Sequence, residues 1–303
     1  MSLINNANPG SSFEVALIIS RYLFRNDGVA TINDVLGSLR PDELAYTDNA
    51  KKKINEEINF WSKDDVQLWD LNKDVLTLSP LVTSDDPALI AKILRDKFYA
   101  VHYTNLFDGE VDQRVSGLKQ LIAVLSILLA LPDFTVGSDN LDKKKLTDIQ
   151  GRYVPQNLLL NDSEKGVFLD WLYFLGFTEY SIGDKASFNI DPTRAYSDTI
   201  IQILKEKGGP YLLKDFLDEL GGKIPLIDGG SYNKEAKITI SKNNKDVNTT
   251  ISLSRSLSHV LFRMWIGGSI HLSDKSDSSD RIFLDLPFDE KRHLSHIELS
   301  MES

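Results

Sequence analysis

One arrangement occurs three times along this chain: an amphipathic helix, two short alternating strands around a turn, and a closing proline. A unit that small cannot bury its apolar face alone, so the repeat constrains the fold more than any single motif. Residues 49–80 read NAKKKINEEINFWSKDDVQLWDLNKDVLTLSP. Ile54, Ile58 and Trp61 mark a helix face, VQLWDL and VLTLS alternate on either side of Asn72-Lys73-Asp74, and Pro80 closes the unit. Residues 164–192, EKGVFLDWLYFLGFTEYSIGDKASFNIDP, repeat the order, with Val167, Phe168, Trp171, Leu172 and Leu175 on the helix. Gly183-Asp184-Lys185 then separates TEYSI from ASFNI, and Pro192 ends the copy. In the third copy Leu257, Val260, Leu261, Met264 and Trp265 follow the helical period, and Gly267 and Gly268 stop the helix. Ile270 and Leu272, then Ile282, Leu284 and Leu286, alternate around DKSDSSD, which predicts a hairpin with a polar tip.

Helical segments precede each copy: residues 11–28 and one capped by Thr31 before the first, 113–131 and 142–150 before the second, 193–209 and 212–222 before the third. The fold class is therefore mainly α with small β-hairpins (α+β), arranged as three tandem winged-helix (helix-turn-helix) modules. Module one covers residues 1–83, a linker helix 84–110, module two 111–192 and module three 193–303, with an inserted hairpin at 223–251. The most apolar run, 118–134, is too short for the ~20 residues of a membrane span and ends at Pro132, so it reads as a buried core helix.

With no cysteine, disulfides, thiolate metal sites and cysteine nucleophiles are excluded. MSLINNANPGSSFE has neither the basic start nor the apolar core of a signal peptide, so a cytoplasmic location without a membrane partner is expected. A net charge of −10 means that any nucleic-acid surface must be local.

Motifs for catalysis are weak. Asp274, Asp277 and Asp280 are three apart, without the glycine and distal glutamate of a calcium loop, and read as a turn. His293 and His296 lie in a strand-like HIEL context without a third ligand. Walker, dinucleotide-binding and nucleophile-elbow patterns are missing. Asp228, Glu235 and Lys237 have the Asp…Glu-x-Lys order of some Mg²⁺ nucleases, but at short spacing and within the expected hairpin, where Lys234, Lys237, Lys242 and Lys245 would be exposed. No cofactor, metal or catalytic residue is expected.

A winged helix that reads DNA places its third helix in the major groove and its wing on the backbone or minor groove. Module one offers Lys51, Lys52, Lys53, Asn55 and Asn59 on that helix, interrupted by Glu56 and Glu57, and Lys73 at the wing tip. Module three offers Ser254, Arg255, Ser258 and Arg263, with Lys275 and Arg281 on the wing. Module two is poor in such residues, and Lys143-Lys144-Lys145 reads as a solvated face.

The opening MSLIN, the first module and the closing LSHVLFRMWIGGSIHLSDKSDSSDRIFLDLPFDEKRHLSHIEL together resemble the DpdG family of bacteria, including the Arg292–His296 run. The resemblance implies membership of the Dpd cluster, which inserts 7-deazaguanine bases into DNA and restricts DNA lacking them. It further implies an anti-phage role beside helicase-like and nuclease-like partners, and supplies no catalytic residues. The expected function is a non-enzymatic DNA-binding or adaptor component of a modification–restriction system, with DNA and other subunits of a defence complex as partners. Alternatives are a protein scaffold without DNA contact, a transcriptional regulator and, more remotely, a Mg²⁺-dependent nuclease.

Overall fold

The computed structural model describes residues 3–4, 12–39, 48–63, 66–107, 117–131, 140–181, 184–243, 253–275, 281–286 and 291–300. Among them are eleven α-helices and ten short strands, an α+β chain in which every strand pairing is antiparallel. It divides into two compact units, residues 1–102 with 116–118, and residues 103–115 with 119–303. No helix among the described residues is long and apolar enough to cross a membrane.

The first unit runs α1 (Phe13–Arg25), β1 (Val29–Thr31), α2 (Ile32–Ser38), α3 (Asp48–Trp61), β2 (Trp69–Asn72), β3 (Val75–Leu78) and α4 (Pro87–Ala100). Ser12 caps α1, and Thr31 with Asp34 forms a capping box on α2, satisfying amides that a helix start leaves unpaired. The sheet order is β1-β3-β2. Ala16, Ile19 and Leu23 of α1, Val35 of α2, Ile58 and Trp61 of α3, and Trp69 and Leu76 of the sheet form the core. Trp69 Nε1–H donates to the Ile58 carbonyl at 3.1 Å, so its ring is buried without an orphaned donor.

The second unit contains two further sets, one with a similar order and one enlarged by an extra helix and extra strands. The first has α5 (Gly117–Ala130), α6 (Lys143–Tyr153), α7 (Asp162–Phe174), β4 (Thr178–Ser181) and β5 (Asp184–Ile190), and Leu141 bridges to Phe188 of β5. Leu141 thus occupies the place that β1 holds beside β3. The apolar run forms α5, buried from Leu121 to Ala130. Ser126 within it donates to the Ile122 carbonyl at 2.6 Å. The last copy has α8 (Thr193–Lys207), β6 (Tyr211–Leu212), α9 (Leu213–Lys223), α10 (Ser231–Asn243), α11 (Arg255–Ile266), β7 (Ile270–Ser273), β8 (Ile282–Asp285), β9 (Lys291–Leu294) and β10 (His296–Leu299). Its main sheet has the order β6-β10-β7, again first-third-second.

Two expectations are corrected. Within the hairpin expected at 223–251, residues 231–243 instead form α10, and 244–251 lie outside the described residues. ITI at 238–240 alternates locally, but Ile238 is 56% exposed while Ile240 is buried, which two residues on the same face of a strand would not be. Tyr232, Ala236 and Ile240 instead share a buried helical face. Lys245 lies outside the described residues.

The third expected hairpin also differs, because β7 and β8 do not pair with each other. β7 pairs with β10, matching Leu272 to Ile297 and Ile270 to Leu299, and β8 pairs with β9. Alternation identifies a strand without naming its partner; Ile297, fully buried, completes the apolar face begun by Ile270 and Leu272. Asp274 of the polar run pairs with Arg281 at 3.3 Å, while Asp277 and Asp280 lie outside the described residues.

The α9–α10 turn depends on a glycine. A Cβ at Gly230 would lie 2.5 Å from the Pro225 carbonyl oxygen and 2.8 Å from that of Ile224. Gly230→Ala is expected to destabilise the second unit by about 2–3 kcal/mol in urea unfolding. Gly222→Ala, with nothing within 4 Å of its added methyl, is the control and should be neutral or slightly stabilising. Equal midpoints for the two variants would refute this account of the turn.

Candidate nucleic-acid interface

In the first unit the side chains of α3 divide cleanly. Glu57, Ile58 and Trp61 turn inward, while Lys51, Lys52, Lys53, Asn55 and Asn59 are exposed. Lys51, Asn55 and Asn59 recur every four residues, so they line one face of the helix. That face borders a groove of about 720 Å³ whose other sides are Asn33 and Leu36 of α2 and the β2–β3 turn. Lys73 stands at the tip of that turn with φ 54°, a left-handed conformation that projects it beside the helix.

The structure therefore brings together four of the residues singled out from sequence, Lys51, Asn55, Asn59 and Lys73, in one concave surface with Ile58 and Leu71. Lys52 and Lys53 lie outside the groove, and Lys52 stands 4.0 Å from Glu56. Asp74 lies on the groove's rim and tempers its charge. Sequence reasoning missed the contribution of α2, because helix periodicity does not say which neighbouring helix borders a face.

Beneath this surface, Glu57 is 4% exposed and has no cationic partner among the described residues. Its carboxylate accepts from the Ser12 backbone N–H at 3.0 Å and from Trp61 Nε1–H at 3.2 Å. Burial outweighs those bonds and pushes its pKa up to about 7.

The residues singled out in the third repeat are placed differently. Ser258 is fully buried and its hydroxyl accepts from the Asp285 N–H at 2.9 Å, which corrects its assignment to a DNA-facing surface. Ser254 caps α11, accepting from the Leu257 N–H at 3.3 Å and donating to Asp228 at 2.5 Å. Arg255 pairs with Asp285 at 3.2 Å, Arg263 with Asp191, and Arg281 with Asp274. Lys275 is exposed, and its backbone N–H donates to Ser295. These cations are distributed around acids of their own chain and do not converge on one groove.

The acidic residues of the nuclease-like pattern are likewise separated in role. Asp228 is 6% exposed and receives the Ser254 N–H and hydroxyl and the Lys237 ammonium. Glu235 on α10 instead accepts from the Leu106 N–H at 2.7 Å. Among the described residues no group of three His, Asp or Glu side chains is arranged to hold a metal ion. His293 sits on β9 against the Phe283 ring at 4.0 Å, whereas His296 starts β10 and shares a hydrogen bond with Ser295.

The fold defines a class, an α+β protein of helices and small antiparallel sheets, with a basic and amide-lined groove in the first unit. A family model described as DpdG-like matches residues 1–278, and the chain belongs to that family. It is therefore a component of the Dpd system. The matched region stops before the Arg292–His296 run, so that segment does not carry the assignment. No curated protein and no solved structure matches the chain.

Proposed function

We propose that this chain is a non-enzymatic, tandem winged-helix component of the bacterial Dpd DNA modification–restriction system, and that it contacts DNA through its first repeat. The winged-helix reading draws on the recurring order of helices and strands and on the shared first-third-second sheet order of the first and last copies. The observation that carries DNA contact is the convergence of Lys51, Asn55, Asn59 and Lys73 on one groove.

In such a docking α3 enters the major groove and the β2–β3 turn follows the backbone. Lys51 and Lys73 neutralise phosphates, and the amides of Asn55 and Asn59 face base edges, where asparagine suits the N6 and N7 atoms of adenine. With a net charge of −10 the contact is local, and its salt dependence comes from the phosphates that Lys51 and Lys73 neutralise.

Fluorescence anisotropy with a labelled duplex across a salt series tests the reading. Lys51→Ala with Lys73→Ala should weaken binding and flatten the slope of log K against log salt by about 1.8, or roughly 0.9 per lost phosphate contact. An unchanged affinity and slope would overturn it. One observation favours a second reading, a protein scaffold: α11 ends in Ile266, 70% exposed, with its arginines already paired to acids. No duplex binding by the wild type at low salt would select that reading.

A further inference from the structure

We infer that the second repeat carries a separate site for unpaired nucleic-acid strand, in the groove where α6, α7 and β5 meet. This groove, of about 550 Å³, is bounded by the second helix, third helix and hairpin of its repeat. Those same three parts bound the groove of the first unit. Its lining is chemically different. Lys143 and Lys144, at the start of α6, form one wall, and Leu169 and Phe188 form the floor. Both lysines are exposed, and Lys143 interacts at longer range with Asp162, itself paired with Lys165 at 2.8 Å. Gly166 of α7 makes room for them: a Cβ there would stand 3.1 Å from Lys143 Cε and Nζ.

From the floor an aromatic row leads to solvent. The Phe188 ring lies 5.0 Å from Tyr180, its cross-strand neighbour, and Tyr180 lies 4.2 Å from Tyr173. The Arg194 guanidinium covers Tyr173 at 5.1 Å. Tyr180, 43% exposed, is the most exposed ring of this row. Lysines beside an exposed aromatic row match a single strand, whose phosphates need neutralising and whose bases have free π faces. Duplex bases are already stacked and cannot reach such a ring. Two further acids moderate the charge. Asp142 is engaged in capping the Lys145 N–H at 2.7 Å, and Asp170 lies on the rim. This site is independent of the first-repeat reading.

The test uses the full chain, a short labelled oligothymidylate and a duplex of equal length. Tyr180→Ala is expected to weaken oligothymidylate binding about tenfold, and Tyr180→Phe to restore it. Lys143→Ala with Lys144→Ala should weaken it too and flatten its salt slope by about 1.4, at roughly 0.7 per contact on a single strand. Duplex binding should respond to the Lys51 and Lys73 pair and not to these substitutions. If the wild type does not bind oligothymidylate at low salt, or binds it equally well after the Tyr180→Ala and paired lysine changes, the second site is overturned. Loss of sensitivity to Lys51 and Lys73 alone would instead overturn the first-repeat reading and leave this one standing.

Discussion

Asp228→Ala is expected to lower the stability of the second unit by about 3 kcal/mol, a fall of about 6–12 °C in its thermal midpoint. Asp228 lies in the turn before α10, 6% exposed, and its carboxylate holds the start of α11. It accepts both the backbone N–H and the hydroxyl of Ser254, the residue that caps that helix. Removing it strands two donors in a region that water reaches poorly, which costs more than the bonds themselves contribute. Lys237→Ala should cost less, because the pair is half exposed on the lysine side and Asp228 keeps both Ser254 donors when the ammonium is removed. Asp228→Asn should fall between, keeping an acceptor for the Ser254 N–H but losing the charge. Differential scanning calorimetry of the three variants checks the order. A midpoint unchanged by Asp228→Ala would mean that the carboxylate is not structural, and would restore interest in its acidic neighbourhood as a site of chemistry.

The second large effect is a dependence on pH set by Glu57. Its folded-state pKa is raised from an ordinary 4.5 to about 7, chiefly by burial, with Glu14 and Glu56 adding like charge. Between those values the folded chain holds a proton that the unfolded chain has released, so stability falls as pH rises from about 4.5 to 7. Below that window the cost vanishes; above it the cost is constant, at roughly 3 kcal/mol or slightly more for a shift of this size. Glu57→Gln keeps a carbonyl acceptor for the Ser12 and Trp61 donors and removes the ionisation. The variant should unfold at similar urea concentrations at pH 5 and pH 8, and should exceed the wild type at pH 8. A variant that retains the wild-type pH slope would show that another group is responsible. Glu57 lies on the inner face of the helix whose outer face carries Lys51, Asn55 and Asn59.

Much of the local architecture was legible because it depends on near neighbours. The capping residues Ser12 and Thr31, the helical faces through Ile58, Trp171 and Leu261, and the strands at 69–78 and 178–190 follow from spacing and cap chemistry, whereas Ser254, read as DNA-facing, proved to be the cap of α11. At α10 two local signals conflicted. The alternation of Ile238, Thr239 and Ile240 favoured a strand, and the burial of Tyr232, Ala236 and Ile240 against the second unit favoured a helix. Packing prevailed because propensity differences are small beside the burial of large apolar side chains. The pairing of β7 with β10 was hidden for a related reason, since its partners Ile270 and Leu299 are far apart in the chain.

The sequence by itself determined that helices are interleaved with short alternating strands, that thiol chemistry is absent and that the polar residues of α3 recur at helical spacing. Only the tertiary structure decided what those residues can reach. It gathered Lys51, Asn55, Asn59 and Lys73 into one groove, and paired Arg255, Arg263 and Arg281 with Asp285, Asp191 and Asp274. It also buried Ser258 completely and set Lys143 and Lys144 beside Phe188. The physical reason is one of range. Periodicity and capping act within a few residues, whereas a charge's availability depends on which distant acid, ring or helix the fold places next to it.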